Sequence, residues 1–232
     1  MVEIKRDGQA EKMLVGIYGA TTSWLQGDGL ACAKGCATCC TQSVTMTSLE
    51  GALMVEHLAA QGRLEWLQGL LEQGEFSVPR PMVTTNGFAK ACMDQRSVPD
   101  EPEWSFAPCV FLKDGICTIY EARPFGCRAF ISRIDCGKSG YAEVAPHLVT
   151  LNTVVQQVIE HLAQGGVWGN MLDVLAWLLG GGQGQGVLSS LDVPGFLVMP
   201  EEKRLVEGYI GRICDEVDGL DWVVGVFGSP PS

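Results

Sequence analysis

The stretch Cys32-Ala33-Lys34-Gly35-Cys36-Ala37-Thr38-Cys39-Cys40 places four thiols in nine residues, and no other segment restricts the fold of this chain so tightly. Its spacing, C-x3-C-x2-C-C, contains the C-x2-C knuckle by which one short turn presents two sulfurs to a single metal. Gly35 fits such a turn, because a residue without Cβ lets the backbone reverse sharply and aim amide groups toward sulfur. The doublet adds a constraint: adjacent side chains point about 100° apart on a helix and to opposite faces on a strand. Cys39 and Cys40 are therefore expected to be inequivalent. Either they serve two separate metals, or one ligates while the other packs or reacts.

A second block follows about seventy residues later, with Cys109, Cys117 and Cys127 in the run Cys109-Val-Phe-Leu-Lys-Asp-Gly-Ile-Cys117-Thr-Ile-Tyr-Glu-Ala-Arg-Pro-Phe-Gly-Cys127-Arg128, and Cys136 just beyond. Across residues 30 to 140 the two blocks resemble the CxxCxxCC family of zinc- or iron-chelating cysteine-cluster domains, the YkgJ-like proteins. This chain has three residues between Cys32 and Cys36 where the commonest family pattern has two. The resemblance implies metal binding. It also leaves room for an enzyme, since flagellin lysine-N-methylase carries a similar domain.

A chain of 232 residues can bury a hydrophobic core without covalent staples. The apolar stretch from Met13 to Ala20 is short and broken by Gly16 and Gly19, and no run of eighteen apolar residues occurs, so neither a signal peptide nor a membrane span is expected. These features predict a cytoplasmic protein, in which ten cysteines are ligands or buried thiols rather than disulfides. The net charge of -11 argues against nucleic acid and anionic membranes as partners. Acidity is concentrated after residue 146, with ten acidic and three basic residues. Around the second block the balance reverses: Arg123, Arg128, Arg133 and Lys138 face only Glu121 and Asp135, and such cations would offset the negative charge of thiolates on a metal.

Apolar spacing predicts a helix over 9–26, with Met13, Leu14, Ile17, Tyr18 and Trp24 or Leu25 on one face. A short extended piece is expected over 42–46. Thr47-Ser48-Leu49-Glu50 is a capping-box signal for a helix running to about Gln73, with breaks possible at Gly62 and Gly69. Residues 76–108 are punctuated by proline and hold one short helix around 87–95, in which Cys92 reads as a buried, unligated thiol. Residues 109–120 have hairpin chemistry. A two-residue Asp114-Gly115 loop would pair Leu112 with Cys117 and send Cys109 and Cys117 to opposite faces, whereas a bulged three-residue loop would align both thiols. Shared ligation of one metal predicts the bulged form. Helices are expected over 148–163, 168–179 and 200–217, with a flexible glycine-rich loop at 180–186. Cys214 falls on an apolar stripe and reads as core, while His57, His147 and His161 lack cysteine partners at finger spacing and read as structural.

The expected fold is mainly α with a small β-hairpin: a cysteine-rich, metal-centred domain over 1–145 and a helical extension over 146–232 packed on it. The expected ligands are Cys32, Cys36, Cys39, Cys40, Cys109, Cys117, Cys127 and Cys136, holding zinc or an iron-sulfur cluster, because all-thiolate coordination suits both. Two other function classes remain open. One is a metal-dependent enzyme of redox chemistry or S-adenosylmethionine-dependent methyl transfer, although no glycine-rich strand-to-helix fingerprint for a nucleotide is present. The other is an adaptor with structural zinc that docks a protein partner on its acidic C-terminal helices.

Overall fold

The computed structural model describes residues 8–25, 29–74, 76 and 78–228. Helix α1 (Gly8–Leu25) buries Met13, Leu14, Ile17 and Tyr18 at helical spacing; the side chains of Trp24 and Leu25 lie outside the described residues. It packs with α7 (Pro146–Leu162), α9 (Lys203–Glu216) and α10 (Asp221–Gly228) around one core, into which α7 sends Leu148, Leu151, Val154, Val155, Val158 and Ile159. Pro146 sits at the start of α7, where its missing N–H costs no helical hydrogen bond. Contact between α1 and the end of α9 is close: a Cβ at Gly16 would lie 2.9 Å from Val217 Cγ2.

A second core lies around α2 (Ser48–Ala60), α3 (Leu64–Gln73) and α8 (Met171–Leu179), with Met54, Leu58, Leu67, Val174 and Leu175 at its centre. The capping box forms as expected. Thr47 accepts from the Glu50 amide at 3.2 Å, and the Glu50 carboxylate accepts from the Thr47 amide at 2.8 Å. The predicted long helix breaks at Gly62, whose φ is +66°, and passes through Gly69 without interruption. The short helix in the proline-rich segment is α4 (Thr85–Met93), and Cys92 on it is exposed rather than buried.

Three antiparallel strands, β1 (Thr45–Thr47), β4 (Val167–Asn170) and β5 (Val187–Ser189), form a sheet with β4 in the centre. The helix expected from Trp168 begins only at Met171. Trp168 instead pairs with Thr47 and Leu188, and Asn170 caps α8 by accepting from the Leu172 amide at 3.0 Å. The pairing of β1 with β4 and the packing of α2 on α8 both cross the boundary expected near residue 145.

The hairpin of β2 (Leu112–Lys113) and β3 (Ile116–Cys117) has the two-residue loop, with Leu112 opposite Cys117 and positive φ at Asp114 and Gly115. The bulged register is therefore not formed. Its purpose is met otherwise, because the Leu112 amide donates to the Cys109 carbonyl at 3.1 Å and the resulting turn breaks the strand alternation that would have separated the two thiols. A 3-10 turn at Tyr120–Ala122 leads to the short helices α5 (Phe125–Ala129) and α6 (Cys136–Ser139).

A cysteine-lined cavity as candidate metal centre

The loop carrying the first block is a pair of turns, closed by the Cys36 amide donating to the Ala33 carbonyl and the Cys40 amide to the Ala37 carbonyl, each at 3.0 Å. Gly35 has φ +99°, a conformation that a residue with a Cβ adopts only under strain. Each end of the loop is tied to the second block. At its start the Ala31 amide donates to the Ser132 carbonyl at 2.8 Å; at its end the Cys109 amide donates to the Cys40 carbonyl at 3.0 Å, and Thr41 bridges to Pro108.

These ties bring Cys32, Cys36, Cys39, Cys40, Cys109, Cys117 and Cys127 to the wall of one cavity of about 380 Å³. Leu30, Val44, Leu112, Ile119, Phe130 and Ile131 supply its apolar lining, and Arg123 and Arg128 its charge. Cys136, the eighth expected ligand, is not on that wall but lies close enough for its charge to act on Cys32. Cys92 and Cys214 stand apart from the cavity. Cys214 packs against the first core and donates to the Leu220 carbonyl at 3.4 Å, and burial pushes its thiol up to about 11. None of the three histidines lines the cavity.

Cys39 and Cys40 are inequivalent in their chemistry, although they lie on a turn rather than on a helix or strand. The neighbouring sulfurs shift each other in opposite directions: Cys40 raises the pKa of Cys39, and Cys39 lowers that of Cys40. Burial raises the pKa of Cys127 and Cys109, and the neighbouring thiols reinforce it. Of the four cations expected to balance thiolate charge, Arg123 and Arg128 line the cavity. Lys138 is paired with Asp135 at 3.1 Å, and Arg133 is exposed.

The framework behind the cavity includes residues that sequence reasoning did not single out. Glu50, 3% exposed, accepts from Tyr18 Oη at 2.8 Å and from the Phe125 amide at 2.7 Å, so one carboxylate joins α1, α2 and the start of the helix bearing Cys127. Its place in the capping box was the only local signal. Arg128 stacks on Tyr18 at 4.2 Å and donates to the carbonyls of Glu121 and Arg123. Tyr120 lies beneath Arg123, and Lys34 of the first block bonds Glu121 at 2.9 Å.

All ten cysteines are free thiols, and among the described residues no three His, Cys, Asp or Glu side chains stand close enough to hold a metal ion. The donor set nevertheless suits a thiophilic metal, since every titratable acid on the wall other than Tyr120 is a thiol and no carboxylate or imidazole competes there. No helix among the described residues is long and apolar enough to cross a membrane. No family model matches the chain, and no curated protein or solved structure matches it either.

Proposed function

We propose that this chain is a cysteine-cluster protein of the CxxCxxCC type that binds zinc or an iron-sulfur cluster through thiolates of its two blocks. The observation that carries this reading is the convergence of seven thiols, drawn from segments about seventy residues apart, on a single cavity. Thiols gathered without disulfides fit a reducing compartment, and a cytoplasmic location is part of the proposal. Zinc held there would be structural, whereas a cluster would supply electron transfer or sensing. Ligand-distance geometry requires sulfurs about 2.3 Å from the metal, so binding draws the loop turns inward from their thiol-form positions. The elements that move are the turns over 32–40 and 109–111, which belong to no helix or strand. Arg123 and Arg128 then offset thiolate charge at the wall.

The test is elemental analysis for zinc, iron and sulfide after anaerobic purification and reconstitution, with absorbance at about 400 nm marking a cluster. Stoichiometric zinc, or iron with sulfide, is expected, with most of it lost in a Cys36→Ser, Cys127→Ser double variant, which removes a thiol from each block. Wild-type protein that retains neither metal under either reconstitution overturns the proposal.

A further inference from the structure

We infer that the eight cysteines make two adjacent four-thiolate centres, with the chain dividing between Cys39 and Cys40: an inner set of Cys40, Cys109, Cys117 and Cys127, and an outer set of Cys32, Cys36, Cys39 and Cys136. This rests on the metal-binding reading above and settles how its ligands are shared.

The backbone ties fall into the same two groups. Cys40 is fixed to Cys109 by the 3.0 Å amide-to-carbonyl bond and the Thr41–Pro108 bridge, and Cys117 is fixed to the same segment through its pairing with Leu112. Cys32 is fixed instead to the strip before Cys136. The Ala31 amide bonds the Ser132 carbonyl at 2.8 Å, and Cys32 Sγ reaches that carbonyl at 3.9 Å. The turn that bears Cys136 leans on the turn that bears Cys39, since a Cβ at Gly137 would lie 3.5 Å from Thr38 Oγ1.

Environment separates the sets as well. Cys109, Cys117 and Cys127 pack against the second core, and Cys40 is half-buried with them, while three of the outer set, Cys32, Cys36 and Cys39, are exposed and Cys136 is half-buried.

Coordination number favours the division. Zinc, or a cubane cluster, takes four thiolates, so seven thiols on one wall exceed what a single centre uses. A single centre would leave three thiols of that wall without a metal.

The experiment titrates the full chain with zinc, and separately with cobalt(II) as a spectroscopic probe of thiolate ligation, in wild type and in Cys36→Ser, Cys136→Ser and Cys127→Ser. Wild type is expected to bind about two equivalents with tetrahedral thiolate spectra. Cys36→Ser and Cys136→Ser each keep one equivalent, and in both the retained metal resists a chelator better than the metal that was lost. Cys127→Ser keeps the outer equivalent. Hydrogen exchange on α7 and α9 confirms that each variant is folded, and loss of that protection in Cys127→Ser moves the inner-set test to Cys117→Ser. A wild type with one equivalent, or outer-set variants that lose all metal, overturns the division while leaving metal binding intact. A wild type with none overturns the underlying reading instead.

Discussion

Glu160 is fully buried on α7, and its two carboxylate oxygens accept from the Asn86 amide at 2.8 Å and the Leu191 amide at 2.9 Å. Burial raises its pKa above the usual carboxylate value in spite of these bonds. A carboxyl that holds its proton more tightly folded than unfolded stabilises most below its unfolded pKa, and that contribution fades as pH rises through the folded value. Stability toward urea should accordingly decline from about pH 4.3 upward through the raised pKa, and Glu160→Gln should flatten that part of the profile. The variant should also be less stable throughout, because an amide nitrogen faces one of the two backbone donors. Glu50→Ala should cost about 3 kcal/mol or more, read from urea midpoints at unchanged m, since it strands the buried amides of Thr47 and Phe125. At this scale the cysteines were legible in the sequence because their spacing is local. The Tyr18–Glu50–Phe125 link was not, because it joins three segments that no short-range pattern relates. Cys92 misled for the converse reason: its apolar neighbours on α4 do not determine which side of that short helix meets the core.

Two glycines expected or found within helices should respond with opposite signs. In α2 a methyl group at Gly51 would lie 2.7 Å from Leu178 Cδ1, 3.0 Å from Met46 Cε and 3.2 Å from Val174 Cγ1, where α2 meets α8. Crowding there outweighs the helix propensity gained, so Gly51→Ala should lose about 1 kcal/mol. In α3 the nearest atom to a Cβ at Gly69 is 3.9 Å away, and Gly69→Ala should gain about 0.5–1 kcal/mol. Thermal or urea unfolding of both variants checks the pair. Helices were legible wherever an apolar stripe or a cap was local, as in α1, the Thr47 capping box and α7. Strand β4 was hidden because the four residues Val167–Asn170 lead directly into the apolar α8, and its partner Thr45–Thr47 lies more than a hundred residues away. In the hairpin both turn types had been anticipated from Asp114-Gly115. Which one forms was decided by the turn that interrupts alternation at Cys109–Leu112, a feature with no glycine or proline to announce it.

Across the whole molecule the two cores differ in their dependence on the cysteine region. The first, built around α1, α7, α9 and α10, holds none of the eight candidate ligands, although Phe125 and Ile131 of the second block pack into it, whereas the second has Cys109, Cys117 and Cys127 packed against it. Removing bound metal should therefore loosen 31–41, 107–119 and 131–137 while α7 and α9 keep their slow-exchanging amides, since metal binding is coupled to folding. Hydrogen exchange with and without metal measures this; unchanged protection in all three cysteine segments would count against a metal-organised region. The segment 146–232, expected as a helical extension packed on the cysteine domain, is shared between the cores: α7, α9 and α10 pack with α1 in the first, while β4 and α8 belong to the second, a division that periodicity alone does not reveal.

The ties from Ala31 to Ser132 and from Cys40 to Cys109 span the chain, and this governs the order in which a growing polypeptide is finished. Translation at about 5–20 residues per second leaves the first block outside the ribosome for several seconds before Cys109 emerges. During that interval its four thiols have only one another as partners. A metal captured then would be held by Cys40 together with Cys32, Cys36 and Cys39, and the arrival of the second block has to replace ligands already in use. Under the proposed metal binding, an ion taken up in that interval would exchange thiolates when the two ties close, at a rate set by ligand substitution rather than by encounter with metal in solution.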